Sequence, residues 1–402
     1  MADRPLPLDG VTVLAVEQYG AGPFGSMLLA DMGAEVIKIE NPAEGGDVGR
    51  SVGPYYFGPG DSHFHHAFNR NKRSLALNLK HPEGMALLRQ LVGHADAVLD
   101  NLRGDQPDKL GLTYEALKEF NPRIVCAHLS AYGRQGSRKS WPGYDYLMQA
   151  EAGYLSLTGE PDGPPARFGL SVVDMMTGLM TAFALVSGVV GARATGRGMD
   201  VDVSLFDTAL HNLSYLATWY LNGGHVQGRE PRGSHPSLTP SQLYRTRDGW
   251  IFLMCNKEKF WPALAEALGH PEWAEDARFA TFKARLANRE LVTQILDQAL
   301  SQKTTAEWLV LFGGSVPAAP VFDVAQALEN PFAQEQAAIA DFTRREGGDP
   351  VRMLTGPVRV AGARPPSIAA PALGADTNDI LEKRLGLDAE EIKKLREEGT
   401  IT

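Results

Sequence analysis

Asp174 lies in the run Phe168-Gly-Leu-Ser-Val-Val-Asp-Met-Met-Thr-Gly178, where an apolar, strand-like stretch gives way to an uncharged helical one, Met175 to Val190. A carboxylate at such a junction faces the first free N–H groups of the helix, whose partial positive charge keeps it ionised. Ionised and partly desolvated, it can attack an activated acyl group. Asp is also among the best helix caps, and on this segment alone capping is the simpler reading.

Other residues point to an anionic ligand. Gly20-Ala-Gly22-Pro-Phe-Gly25 follows a strand and opens a helix, with Glu40 at the end of the next strand. That matches the dinucleotide fingerprint in form, but Pro23 removes an N–H that a pyrophosphate would use. Asn69-Arg-Asn-Lys-Arg-Ser74 is a cationic cluster leading into a strand. It reads either as a solvated basic turn or as an edge that holds phosphate through charge-assisted hydrogen bonds. Asn101, Arg103 and Lys109 follow the next strand's carboxyl end, where open α/β sheets bind ligands. His63, His65 and His66 lack a recognised metal-ligand spacing and are expected in a surface loop, so no metal site is predicted. No nucleophile elbow around a serine and no Walker sequence is present.

The elements that would position these residues alternate between strand and helix. Strands are expected at 11–16, 35–39, 73–79, 97–99, 124–129 and 201–205, and helices at 24–32, 81–92, 114–120 and 175–190. Strands separated by helices of about ten residues build right-handed βαβ units and a mainly parallel sheet. The segment Gly223–Thr239, rich in Gly, Pro, Ser and His, reads as a crossing to another domain. Beyond it a strand pair around Arg247-Asp-Gly249 and helices at 261–268 and 288–300 suggest a smaller α/β unit. The expected layout is a large domain over 1–222, a linker over 223–240, a small domain over 241–328 and a return over 329–402. The return would pack on the large domain through a charged amphipathic helix near 380–398.

A net charge of −9 argues against a nucleic-acid binder. The two cysteines, Cys126 and Cys255, sit in apolar runs and exclude a disulfide framework. The opening residues lack a signal-peptide core, and the apolar stretch 175–190 is short for a bilayer, so the expectation is a cytoplasmic protein without a membrane span.

Taken together, the chain resembles the class III CoA-transferases, the formyl-CoA transferase and CaiB/BaiF family. The resemblance rests on Leu8-Asp-Gly-Val-Thr-Val-Leu14, Ala21-Gly-Pro23, Leu29 through Glu40, Asn71-Lys-Arg-Ser74 and Leu110-Gly-Leu112. Gly143-Tyr-Asp145, Thr195-Gly-Arg-Gly198, Val201-Asp-Val-Ser204 and Val316-Pro-Ala-Ala-Pro320 continue the ordered set. It implies a Rossmann-like large domain with a mainly parallel sheet, a smaller α/β domain and an interlocked homodimer with the active site between the domains. It also implies that Asp174, before x-x-Thr-Gly, is the nucleophile in CoA transfer from an acyl-CoA to a carboxylic acid. Coenzyme A would be held by Gly20 and Ala21, by Leu77, Asn78, Leu79 and Lys80, by Asn101, Leu102 and Arg103, and by Lys109. Tyr144 and Asp145 fall at the thioester end. Short dicarboxylates, with succinyl-CoA as donor, are the substrates the resemblance suggests.

Three departures stand out. Asn41 replaces an Arg of several members, so one phosphate contact is either missing or supplied by Lys38. Phe252 to Phe260 lacks the glycines of the formyl-CoA enzymes' lid, and Arg103-Gly104 replaces an aromatic-x-Pro-Gly pattern. The α-methylacyl-CoA racemases share the fold but place a His where Tyr144 stands. A tyrosine, with its pKa near 10, is a poor partner for proton exchange beside a thioester, which favours transfer. A nicotinamide dehydrogenase and a non-catalytic CoA binder are the remaining alternatives. Arg134, Arg167 and Lys257 are candidates to hold a second carboxylate.

Overall fold

Period-two alternation of apolar residues organises the large sheet. In β1 (Thr12–Val16) Val13 and Ala15 enter one core and Leu14 the other. The same division separates Val36 from Ile37 in β2 (Glu35–Glu40), Leu99 from Val98 in β4 (Ala97–Asp100) and Ala127 from Cys126 in β5 (Val125–Ser130). Successive side chains of a strand point to opposite faces, so these strands are satisfied only between two helical layers. With β3 (Arg73–Ala76) and β6 (Met199–Ser204) they form a six-stranded sheet in the order β3-β2-β1-β4-β5-β6, every pairing parallel. This computed structural model describes residues 5–402.

That order is the doubly wound Rossmann arrangement, with its topological switch point between β1 and β4. Around the sheet run α1 (Ala21–Asp31), α2 (His63–Asn69), α3 (Pro82–Val92), α4 (Gln106–Leu110), α5 (Asp145–Glu151) and α6 (Val172–Thr195). Leu29 of α1 and Ala182, Leu185 and Val189 of α6 close one face. Leu87, Leu88 and Leu91 of α3, with Ile380, Leu381, Ile392 and Leu395, close the other.

The chain divides into two compact units. The first runs through Ala152, takes in Gly169–Ala217 and resumes at Phe332–Thr402; the second comprises Gly153–Phe168 and Thr218–Pro331. The second holds an antiparallel sheet, β9-β8-β7, of β7 (Ser241–Arg245), β8 (Trp250–Met254) and β9 (Ala318–Pro320). Its own core gathers Tyr244, Ile251, Trp261, Phe279 and Trp308.

Several local expectations change. β3 ends at Ala76, not Leu79, because the chain then turns: Leu77 bridges Ile401 and the Asn78 N–H donates to Thr400. The histidines do not lie in a surface loop; they open α2, and His65 and His66 are buried. The residues leading directly into α6 form no strand, and the helix is longer than expected at 24 residues. By length and composition it could cross a membrane; here one face packs on the sheet and α1. Its other face leaves Leu179, Met180, Phe183 and Val190 exposed. The region near 380–398 is interrupted at Gly386, in the left-handed conformation (φ 70°), and Asp388 caps a new helix, Ala389–Glu397.

Candidate active site

The site begins where α1 and α6 touch. A Cβ on Gly25 would stand 2.4 Å from the Gly178 carbonyl oxygen, and one on Gly178 would stand 2.4 Å from that of Ala21. Only glycine at both positions permits this backbone approach. Asp174, one turn before Gly178, is thereby delivered to the start of α1, where a Cβ on Gly20 would lie 3.3 Å from its Oδ2. Gly22 completes the set: a Cβ there would meet Asn101 Cβ at 2.8 Å. The glycine pattern that resembles a nucleotide fingerprint therefore serves three close approaches, to Asp174, Asn101 and Gly178.

Across the switch point the ends of β1 and β4 are clipped together. The Gln18 N–H donates to Asn101 Oδ1 at 2.9 Å, and Asn101 Nδ2 donates to the Gln18 carbonyl at 2.7 Å. Tyr19 follows in the left-handed region (φ 70°), its N–H donating to Asp47 Oδ1 at 2.9 Å and its ring 5.2 Å from Phe64. A cavity of about 200 Å³ opens here, lined by Gly20, Ala21, Asn101, Leu102, Arg103, Ser130, Trp141, Tyr144 and Asp174. A second cavity of about 200 Å³ lies beside it along the carboxyl edge of the sheet, lined by Asn41, Glu44, Leu77, Leu79, Lys80 and Leu110. Gln18 and Leu102 line both, so the pair forms one elongated groove.

Asp174 is not the helix cap. Ser171 holds that position and Asp174 falls in the first turn. Its N–H donates to Asp145 Oδ2 at 2.9 Å, while Asp145 Oδ1 accepts from Gln149 at 2.6 Å. Among the described residues none donates a hydrogen bond or ion pair to the Asp174 carboxylate. Burial, with a smaller contribution from the Asp145 charge, pushes its pKa up to about 7. The expectation that the helix N–H groups keep it ionised is therefore corrected: desolvation dominates and favours the protonated form.

Of the residues expected around coenzyme A, Gly20, Ala21, Asn101, Leu102, Arg103, Tyr144, Leu77, Leu79 and Lys80 line the groove. Asp145 sits buried beneath Asp174 rather than in the lining. Asn78 is occupied by its own turn, its Oδ1 accepting from the Lys80 N–H at 3.0 Å. Arg103 and Lys109 are exposed and share Asp105, at 2.6 and 2.5 Å. Lys80 is exposed and pairs with Glu44.

Lys38 turns inward instead. It is fully buried, 2.8 Å from Asp47 Oδ2 and 3.0 Å from the Glu17 carbonyl, and does not offer its ammonium to the groove. Burial opposes that charge, but Asp47, Glu17 and Glu40 outweigh it and raise the pKa. The Asn69–Ser74 cluster is likewise structural: Arg70 pairs with Asp31 at 2.6 Å, Lys72 with Glu17 at 2.7 Å and Arg73 with Glu35 at 2.7 Å. Arg134 is committed to Asp108 and Asp202.

Sequence reasoning passed over Gln18, Asp47 and Trp141. Gln18 carried a usable signal, since it stands at the carboxyl end of the first strand. Trp141, two residues before Gly143, is 49% exposed at the cavity with the Arg138 guanidinium 4.8 Å over its ring. Nothing local announces that arrangement.

A doubly wound sheet with a partly buried carboxylate at its switch point defines an enzyme-like α/β binding fold. Residues 8–377 match the family described as CoA-transferase family III. The chain is 35% identical over 361 residues to the succinate–glutarate CoA-transferase of Agrobacterium fabrum, covering 86% of this chain and 88% of that protein. It is also 35% identical to the acetyl-CoA:oxalate CoA-transferase of Acetobacter aceti, covering 89% and 90%. A CaiB/BaiF family protein from Brucella suis superposes with a TM-score of 0.82 at 33% identity, covering 95% of this chain and all of that one. The chain belongs to the family III CoA-transferases, and it is an enzyme of that class acting on CoA thioesters and carboxylic acids.

Proposed function

We propose that the enzyme transfers CoA reversibly between two acids through covalent intermediates on Asp174. The observation that carries this reading is the Asp174 carboxylate itself: largely buried, without a donor among the described residues, and facing the opening turn of α1. An Asp174 oxygen attacks the donor thioester carbonyl, the C–S bond breaks and CoA leaves as the thiolate, giving an aspartyl–acyl anhydride. The thiolate then attacks the Asp174 carbonyl carbon, freeing the donor acid and leaving an aspartyl-CoA thioester. An acceptor carboxylate attacks that carbonyl, releasing the thiolate again and forming a second anhydride. Attack of the thiolate on the new acyl carbonyl yields the product acyl-CoA and regenerates the carboxylate. Every intermediate is itself an activated acyl group, anhydride or thioester, so thioester energy is not lost to hydrolysis through the cycle.

The chain's own groups suit the parts of this ligand. The free N–H groups of Ala21 and Gly22 at the α1 start favour negative charge developing beside Asp174. The groove runs from there past Gln18 and Leu102 to Lys80, which leaves the Asp174 end for a thioester and the Lys80 end for a nucleotide. Lys80, Arg103 and Lys109 are the exposed cations available to its phosphates. Among the described cavity-lining residues there is no imidazole beside Asp174 to share α-proton exchange, which favours transfer over racemisation. The named relatives act on succinate, glutarate and oxalate, and short dicarboxylates are the acids we assign here. We further propose a cytoplasmic homodimer. An apolar groove of about 490 Å³ lined by Phe24, Leu28, Leu179, Phe183 and Val358 supports an apolar subunit contact.

Incubation with a panel of acyl-CoAs, borohydride quench and peptide mapping tests the reading. Reduction confined to Asp174, dependent on a thioester and absent with free CoA, is expected. Full turnover by a freshly prepared Asp174→Asn variant would sink the assignment, whereas Asp174→Ala should bind CoA and turn over nothing.

A further inference from the structure

A buried histidine sits on the strand whose carboxyl end, Leu129 and Ser130, lines the groove. His128, on β5, is 1% exposed and registers with Asp100 on β4 and Asp202 on β6. Its Nδ1 lies 2.5 Å from Asp100 Oδ2 and its Nε2 lies 3.0 Å from Asp200 Oδ1. A neutral imidazole has one N–H and can donate to one carboxylate; bonding to two ionised carboxylates requires both nitrogens to be protonated.

The carboxylates at either end of this bridge hold the walls of the groove. Asp100 Oδ1 accepts from the N–H of Leu102, the residue that lines both cavities, at 3.3 Å. Asp100 also immediately precedes Asn101, which clips Gln18. On the other side, Asp200 accepts from the Tyr114 N–H at 2.7 Å and lies 3.8 Å from Arg134. Arg134 continues to Asp202 at 3.3 Å and to Asp108 of α4 at 3.1 Å. The segment 101–110 and the loop after β5 are thus tied to the sheet through one chain of charges with His128 at its centre.

We propose that His128 is a positioning residue whose doubly bonded imidazolium fixes the Asn101–Arg103 segment for coenzyme A. This rests on the CoA-transferase reading of the groove. The ionisable groups acting on the ring are Asp100 from β4, Asp200 from β6 and Arg134 from the loop after β5, with Asp202 in register on β6 and paired to Arg134. Burial opposes the charge on His128, but its bonds to Asp100 and Asp200 prevail and set its pKa at about 9. The ring therefore stays charged through neutrality, and the clasp loosens as pH rises through that value.

Two measurements on the intact protein test this. In ¹⁵N-histidine spectra, His128 should show both nitrogens protonated at pH 7.5. The Kd for desulfo-coenzyme A, which has no thiol to ionise, should hold steady to about pH 8 and weaken roughly tenfold by pH 10, the scale of one charge-assisted hydrogen bond. His128→Gln should bind roughly tenfold more weakly at neutral pH and lack the alkaline limb. A neutral tautomer at pH 7.5, wild-type affinity in His128→Gln, or an unchanged alkaline limb in that variant would each overturn the proposal. Should His128→Gln not fold, the wild-type spectra and Asp200→Asn decide, the latter expected to shift the limb to lower pH and refuting the proposal if it does not. Absence of affinity in wild type at every pH would remove the CoA reading as well, a result distinct from tight binding that ignores His128.

Discussion

Asp174 holds a charge that its surroundings resist. With the folded pKa near 7 against an ordinary value of 3.8, the native state binds more protons than the unfolded chain between those values. Stability contributed at this site therefore falls as pH rises from about 4 through about 7. Asp174→Asn, which removes the ionisation, should leave stability near pH 4 almost unchanged and raise it at pH 8 by up to about 4 kcal/mol. Urea unfolding at both pH values measures the difference. The same titration governs the nucleophile: kcat/KM should fall as pH drops below about 7. Asp145→Asn keeps an acceptor for the Asp174 N–H but removes the neighbouring charge, so the acid limb should move to lower pH. Because burial is the larger cause, the move should be partial. A limb that stays put would mean Asp145 has no electrostatic hold on the site.

At the scale of elements, the crossing of α1 and α6 decides whether a site exists at all. Gly178→Ala would drive a methyl group against the Ala21 carbonyl and should cost about 2–3 kcal/mol while disabling turnover. Gly191→Ala, in the same helix, meets only Met199 at an ordinary 3.7 Å and should be neutral or slightly stabilising. Equal losses in the two variants, read from urea midpoints and turnover, would refute this account of the crossing. The strands around it were legible because a sheet buried on both faces leaves period-two apolar runs. Gly20, Gly22 and Gly25 were legible as a tight place, but not their reason, since Asp174, Asn101 and Gly178 reach them from far along the chain. Lys38 and Lys72 were misread for the same cause. A cationic residue looks solvated in one dimension, and only the fold brings Glu17 and Asp47 to it. The partners of His128 also arrive from separate strands, so nothing in its local sequence marks its role.

For the molecule as a whole, the exposed apolar face of α6 makes association the expected state. Sedimentation velocity should report a dimer, and Phe183→Glu should shift it toward monomer; a wild-type monomer at micromolar concentration would refute the homodimer. The joining of Leu77 to Ile401 and Asn78 to Thr400 has a temporal consequence. On the ribosome, the edge of the groove emerges early and waits for its partners until the intervening residues, the second unit included, have been made. The groove edge at Leu77 and Asn78 is therefore unfinished on a nascent chain, whereas the second unit's core is complete before those partners appear. Such distant contacts favour slow closure of the first unit. During synthesis, the half-built edge beside Leu77 is the surface that most needs shielding from premature pairing.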